Sequence, residues 1–129
     1  MTRDDVQRWL DAYVEAWNTY DPDKIGALYA ETATELYHPY DADPVEGRQA
    51  IVDNWLKYRD DPGTYTGKYE VWAVDGDRAV ARGESEYRKP DGSFRTRYYN
   101  VFLMQFDGDG RCTSFTEYFM ELPERLRPS

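Results

Sequence analysis

Between residues 64 and 122 the chain reads as four strand-length runs divided by three turn signals. The runs are TYTGKYEVWAV, RAVARGESEYR, SFRTRYYNVFLMQF and RCTSFTEYFMEL, and the dividers are DGD, KPDG and DGDG. Asp-Gly pairs suit tight turns between antiparallel neighbours, because glycine reaches the positive φ that such turns need. The pattern predicts a four-stranded meander, and a sheet of that size has to bury one face against another layer.

The first half supplies that layer. Thr2 is the expected N-cap of a first helix, with Asp4 and Asp5 in its first turn and Val6, Trp9, Leu10, Tyr13 and Trp17 at helical spacing. In YDPDKIGALYA, Asp21 caps and Pro22 starts a second helix that buries Ile25, Leu28 and Tyr29. RQAIVDNWLKYR forms a third, with Ile51, Trp55 and Tyr58 on one side. TATELYH reads as a short strand ended by Pro39, DADPVEG as a loop, and PERLRPS as a frayed tail. The expectation is one α+β domain over residues 1–129, with three N-terminal helices packed on a curved antiparallel sheet.

The turns suggest a register. Pairing Arg88 with Ser93 sets Glu86 against Arg95 and Glu84 against Arg97, which places those charges on an outer, wet face. Ala81, Gly83, Ser85 and Tyr87 then share the inner face with Phe94, Thr96, Tyr98 and Asn100. Pairing Phe106 with Arg111 sets Phe102 against Phe115, Asn100 against Glu117 and Tyr98 against Phe119. The inner face is thus aromatic, with an amide and a carboxylate side by side.

Charge narrows the function classes. Asp and Glu number 25 against 16 Lys and Arg, a net charge of -9. Phosphate recognition needs a basic footprint, so no nucleic-acid partner is expected. No apolar run approaches the ~18 residues of a membrane span, so no membrane association is expected. The start MTRDDVQRWL has no apolar core of a signal peptide, and the single cysteine, Cys112, allows no disulfide within the chain. The expected location is the cytoplasm.

The order of elements resembles the nuclear transport factor 2-like superfamily, and within it the SnoaL-like and ketosteroid isomerase-like proteins. AYVEAWNTYDPDKIGALYAETAT, EGRQAIVDNW, VDGDRAVARG and FDGDGRCTSFTEYF carry the likeness over nearly the whole chain. The resemblance implies a cone-shaped α+β barrel open at one end and a homodimer formed through the outer sheet face. It leaves activity open among isomerases, polyketide cyclases, epoxide hydrolases, dehydratases and non-catalytic binders. It sets Tyr13 at the position of the isomerases' oxyanion tyrosine and His38, in YHP, at that of their general base. One extra residue in the preceding loop leaves Tyr37 as the alternative there. The isomerases' second oxyanion acid falls on Phe102, which has no proton to donate. Cyclase-like relatives carry an acid on the last strand, as Glu117 does. The epoxide hydrolases' Asp-Arg-Asp set has only Arg82 as a counterpart, on the outer face.

His38 is the only histidine in the chain. Imidazole is the side chain suited to giving and taking a proton at neutral pH, so the ring is a candidate base, against the plainer reading of a ring bonded to its own loop. Glu117 among aromatic rings is the second candidate, with Asn100 beside it and Tyr13 as a hydrogen-bond donor. Trp17, Tyr37, Trp55, Tyr98, Phe102, Phe115 and Phe119 would line the binding site for a small apolar or polycyclic ligand, or else simply pack the core. DGDGR starts like a calcium loop, but its twelfth position is Tyr118. Neither a metal nor an organic cofactor is expected. Two functions stay open: a cofactor-independent enzyme that moves a proton on an apolar carbonyl compound, and a non-catalytic ligand-binding or dimerisation module.

Overall fold

The structure, a computed structural model, describes residues 1–128. The elements run α1 (Arg3–Thr19), α2 (Pro22–Leu28), β1 (Tyr29–Leu36), β2 (Val45–Glu46), α3 (Arg48–Lys57), β3 (Tyr65–Asp75), β4 (Arg78–Arg88), β5 (Phe94–Phe106) and β6 (Cys112–Glu121), then a 3-10 turn, Glu124–Leu126. Thr2 caps α1 through a reciprocal pair: Asp5 N–H donates to Thr2 Oγ1 at 3.1 Å, and Thr2 N–H donates to Asp5 Oδ2 at 2.9 Å. Asp21 Oδ1 accepts from Asp23 N–H at 2.9 Å, with Pro22 opening α2.

The helix α2 ends at Leu28, two residues before the end of YDPDKIGALYA. Its last carbonyls are taken by side chains: Trp9 Nε1 donates to Leu28 O and Arg48 Nε to Tyr29 O, each at 2.9 Å. Tyr29 is therefore already a strand residue, paired with Cys112.

The six strands form one sheet in the order β2-β1-β6-β5-β4-β3. The meander expected from the turns is present as β3 to β6. The sheet is mixed rather than wholly antiparallel, because β1 runs parallel to β6. It does not close, and β2 and β3 are its edges. The loop DADPVEG contributes β2, which pairs antiparallel with β1 at Thr34↔Glu46 and Glu35↔Val45. Gly47, at φ 91°, then turns the chain into α3.

Both hairpin registers differ from expectation by two residues. At the first turn Lys89 N–H donates to Ser93 O at 2.8 Å, so the loop closes one residue early, and a bulge beyond Arg88↔Phe94 adds a second step. At the second, Asp107 N–H donates to Arg111 O at 2.9 Å, and a bulge follows Phe106↔Cys112. A shift of two keeps every side chain on its expected face. The partners change. Glu86 stands opposite Arg97, which donates to it at 2.7 Å, while Arg95 reaches Asp60 at 3.3 Å.

The core lies between the helices and the inner sheet face. Val6, Leu10, Ile25, Ile51 and Trp55 from the helices meet Val71, Ala81, Phe102 and Phe115 from the strands, all buried. Ala81, Gly83 and Ser85 leave room on β4, and strand β3 fills it: a Cβ on Gly83 would lie 1.9 Å from the Lys68 carbonyl oxygen. Among the described residues no helix is long and apolar enough to cross a membrane.

Candidate functional site

Two carboxylates face inward from neighbouring strands. Glu117 extends from β6 and accepts from Asn100 Nδ2 of β5 at 2.6 Å. Ser85 of β4 donates to Asn100 Oδ1 at 3.0 Å, which fixes the amide with its NH2 toward the carboxylate. Burial pushes Glu117 up to about 7, with the Asn100 hydrogen bond acting in the opposite direction. Tyr13 of α1 is buried, and its phenol is held well above the ordinary range, first by burial and then by the charge of Glu117. It is therefore a neutral donor at any physiological pH.

Glu35, on β1, is 2% exposed. Burial pushes its carboxyl up to about 8, the Tyr29 and Tyr37 hydroxyls pull it down, and Glu117 adds to the rise. Its Oε2 has no hydrogen-bond partner, and neither do the Tyr29 hydroxyl, Trp55 Nε1 or Trp17 Nε1 nearby in the core. A buried polar group without a partner is costly, and Trp17 and Trp55 carry two of these groups on rings 4.5 Å apart.

The expected site residues separate into two groups. Tyr13, Trp55, Phe102 and Phe115 are buried and pack on one another, with Tyr13 stacked 5.8 Å from Phe115 and Phe102 4.8 Å from it. Trp17 is half-buried, its ring 4.5 Å from that of Trp55. At the rim, Phe119 is 43% exposed and lies 5.3 Å from both Tyr98 and His38. The structure does not give His38 to Glu117. Its Nδ1 is 3.2 Å from Asp41 Oδ2, and its ring stacks on Tyr40 at 4.9 Å. Tyr37 is the residue of the pair that packs against the core.

Sequence reasoning missed Glu35. A signal was present: in TATELYH, counting back by two from Tyr37 puts Glu35 and Ala33 on the same face, and an acid at an inward position stands out. A groove of about 1150 Å3 has Asn100 and Phe119 of the expected site in its lining. It runs from Leu10, Asp11 and Val14 of α1 across the sheet among Glu70, Arg82, Tyr99 and Met120, and neither Glu35 nor Glu117 lines it. Arg82 stays on the outer face, bonded to Glu70 at 2.9 Å.

With this geometry in hand, the comparisons with known proteins bear on the fold. The SnoaL-like domain profile matches residues 10–115. No curated protein matches the sequence. An NTF-2 like protein of unknown function from Burkholderia xenovorans LB400 is similar in structure, with TM-score 0.68 and 18% identity over 98% of this chain and 95% of that one. An LEH-like epoxide hydrolase from M. tuberculosis matches with TM-score 0.66 and 16% identity, over 92% of this chain and 84% of that one. A "putative polyketide cyclase" from Sinorhizobium meliloti matches with TM-score 0.64 and 22% identity, over 92% of this chain and 100% of that one. At these identities the likeness carries the fold and no particular activity.

Proposed function

The chain belongs to the SnoaL-like domain family, and from that premise we propose that it is a cofactor-independent enzyme that moves a proton on an apolar, enolisable carbonyl compound. The observation that carries this reading is the Glu117–Asn100 contact of 2.6 Å on an aromatic inner face. With its carboxyl at about 7, Glu117 is ionised in a useful fraction at neutral pH and basic enough to take a proton from carbon. Tyr13, kept neutral, is the donor for the oxyanion that develops as the proton leaves.

The half-exposed rim of Tyr37, Tyr98 and Phe119 suits a flat apolar ligand, and His38 belongs to that rim rather than to the chemistry. Isomerisation, aldol-type cyclisation and dehydration share this first proton transfer. The test is α-hydrogen exchange of 2-tetralone in D2O, followed by NMR. The protein accelerates exchange over buffer, and Glu117→Gln lowers the rate by about 100-fold, the usual contribution of a positioned base. Exchange no faster than in buffer overturns the reading.

The outer face favours a second reading for itself. Met120 is 73% exposed there and Trp72 58%, beside Tyr99, Val101, Leu103 and Tyr118. We infer that two copies pair through this face as a homodimer, whether or not the inner face is catalytic.

A further inference from the structure

All four strands of the meander contribute to one line of hydrogen bonds on the inner face. Tyr65 and Tyr69 of β3 share a bond of 2.7 Å between their hydroxyls. The Tyr69 hydroxyl also reaches Ser85 of β4. Ser85 Oγ donates to Asn100 Oδ1 of β5 at 3.0 Å, and Asn100 Nδ2 donates to Glu117 of β6 at 2.6 Å. Tyr65, Tyr69, Ser85 and Asn100 are all buried.

Counting protons gives the line its direction. A serine hydroxyl has one proton, and Ser85 gives it to Asn100. Toward Tyr69 it can only accept, so Tyr69 gives its proton to Ser85 and takes one from Tyr65. Every donor then points toward Glu117, and each bond polarises the next in the sense that favours the carboxylate.

Two glycines make room for this arrangement. Gly67 stands opposite Ser85, and Gly83 stands opposite both Tyr69 and Asn100. A Cβ on Gly67 would run into the Tyr65 hydroxyl and the Tyr69 ring, and one on Gly83 would meet Tyr69 Cδ1 at 2.7 Å. The rings therefore lie down over the glycines, which brings their hydroxyls to Ser85. Packing alone would be served by phenylalanine at 65 and 69, whereas buried hydroxyls need partners. Charge reaches Glu117 by other routes too. Tyr13 of α1, Glu35 of β1, Tyr37 just beyond it, Tyr65 and Tyr69 of β3 and Tyr87 of β4 all feel its charge through space.

We propose that Tyr69 is a positioning residue for Glu117: through Ser85 it holds the Asn100 amide on the carboxylate and so sets how readily Glu117 takes a proton. Its part in catalysis rests on the reading of Glu117 as the base.

A pH titration of the Glu117 carboxyl resonance, in protein labelled with 13C at glutamate and assigned by through-bond correlation, separates the line from effects through space. Tyr69→Phe removes one oxygen and keeps the ring. It raises the Glu117 midpoint by roughly 0.1–0.6 pH units, a cooperative share of the hydrogen bond to the charged group. Ser85→Ala, one link nearer, raises it further. In Asn100→Leu, where the line is cut, adding Tyr69→Phe gives no additional rise. A Tyr69 that only packs leaves the midpoint unmoved, and one that acts through space shifts it equally with and without Asn100; either result overturns the proposal.

The pH profile of 2-tetralone exchange gives the catalytic readout. Its acid limb, set by ionisation of Glu117, moves up with the NMR midpoint in Tyr69→Phe and Ser85→Ala, and exchange on that limb slows by roughly 1.3- to 4-fold in Tyr69→Phe. Exchange that depends on Glu117 but keeps its acid limb in both variants overturns the proposal and leaves the base reading standing. A wild type that exchanges no faster than buffer overturns both. Should Tyr69→Phe fail to fold, Ser85→Ala with and without Asn100→Leu decides by the same comparison.

Discussion

Asn100 donates to Glu117 at 2.6 Å although the two are not opposite each other in the sheet. Asn100 pairs with Phe119, and Glu117 with Phe102, so the contact is diagonal across β5 and β6. Such a contact depends on the amide being aimed, and Ser85 aims it by donating to Asn100 Oδ1. Asn100→Leu removes the hydrogen bond that favours the Glu117 carboxylate. A hydrogen bond to a charged group is worth about 1.5–3 kcal/mol, so Glu117 rises by roughly one to two pH units above its wild-type midpoint. A carboxyl NMR titration checks this, and an unmoved midpoint would mean that burial alone sets it.

The buried acids make stability depend on pH in a direction opposite to that of a salt-bridged carboxylate. Glu35 titrates near 4.5 when unfolded and at about 8 when folded. Between those values the folded chain keeps a proton that the unfolded chain has lost, so stability is fully present below 4.5 and falls as pH rises toward 8. The slope is about 1.4 kcal/mol per pH unit for each such group, and Glu117 adds the same sign up to about 7. Glu86, lowered chiefly by its hydrogen bond from Arg97, has the reverse sign and acts below its ordinary value. Urea unfolding from pH 5 to 8.5 therefore gives falling midpoints, and Glu35→Gln flattens the curve. Midpoints that rise toward pH 8 in the wild type would contradict the folded-state protonation of both acids.

These features also show which parts of the chain could be read from its letters. The faces of β3 to β6 were legible because side chains alternate and a two-residue register shift leaves alternation intact. Thr2 and Asp21 were legible because a cap is a local contact between near neighbours. The register itself was not, since each turn closed one residue early and each strand pair carried a bulge, and neither event has a distinctive residue. Tyr29 was assigned to a helix because the interactions that end α2, from Trp9 and Arg48, come from distant sequence. Of the candidate site, Glu117 and Asn100 were found as neighbours even though their pairing was drawn wrongly. Glu35 was not legible because its burial depends on α3 and β6 closing over β1, and the more conspicuous His38 has its ring bonded to Asp41 in its own loop.

Gly83 is a test of how closely β3 lies on β4. A methyl group there would meet the Lys68 carbonyl oxygen at 1.9 Å and Tyr69 Cα at 2.7 Å, both backbone atoms that cannot rotate away. Gly83→Ala therefore forces the two strands apart. The expected loss is about 3 kcal/mol or more, at the upper end of overpacking effects, seen as a lower urea midpoint with a similar slope. At Gly67 the nearest atom is the Tyr65 hydroxyl at 2.0 Å, the tip of a side chain. Gly67→Ala should cost less than Gly83→Ala, and the reverse order would place the tight contact elsewhere.

The outer face gives the last prediction. Met120, at 73% exposed, stands beside Tyr118 at 43%, with Tyr99 at 40% and Val101 at 39% on the adjoining strand. A water-facing row of this kind is held open by little except charge at its edge, where Arg82 lies 4.0 Å over the Trp72 ring and bonds Glu70. If two copies meet here, Met120 sits in the apolar centre and the Arg82–Glu70 pair in the polar rim. A charge at the centre is then desolvated without a partner, whereas a change at the rim is tolerated. Sedimentation equilibrium of the wild type gives a dimer, Met120→Glu weakens it at least tenfold, and Glu70→Gln changes it little. A monomeric wild type would rule out the pairing, and equal effects of both substitutions would move the interface off this strand.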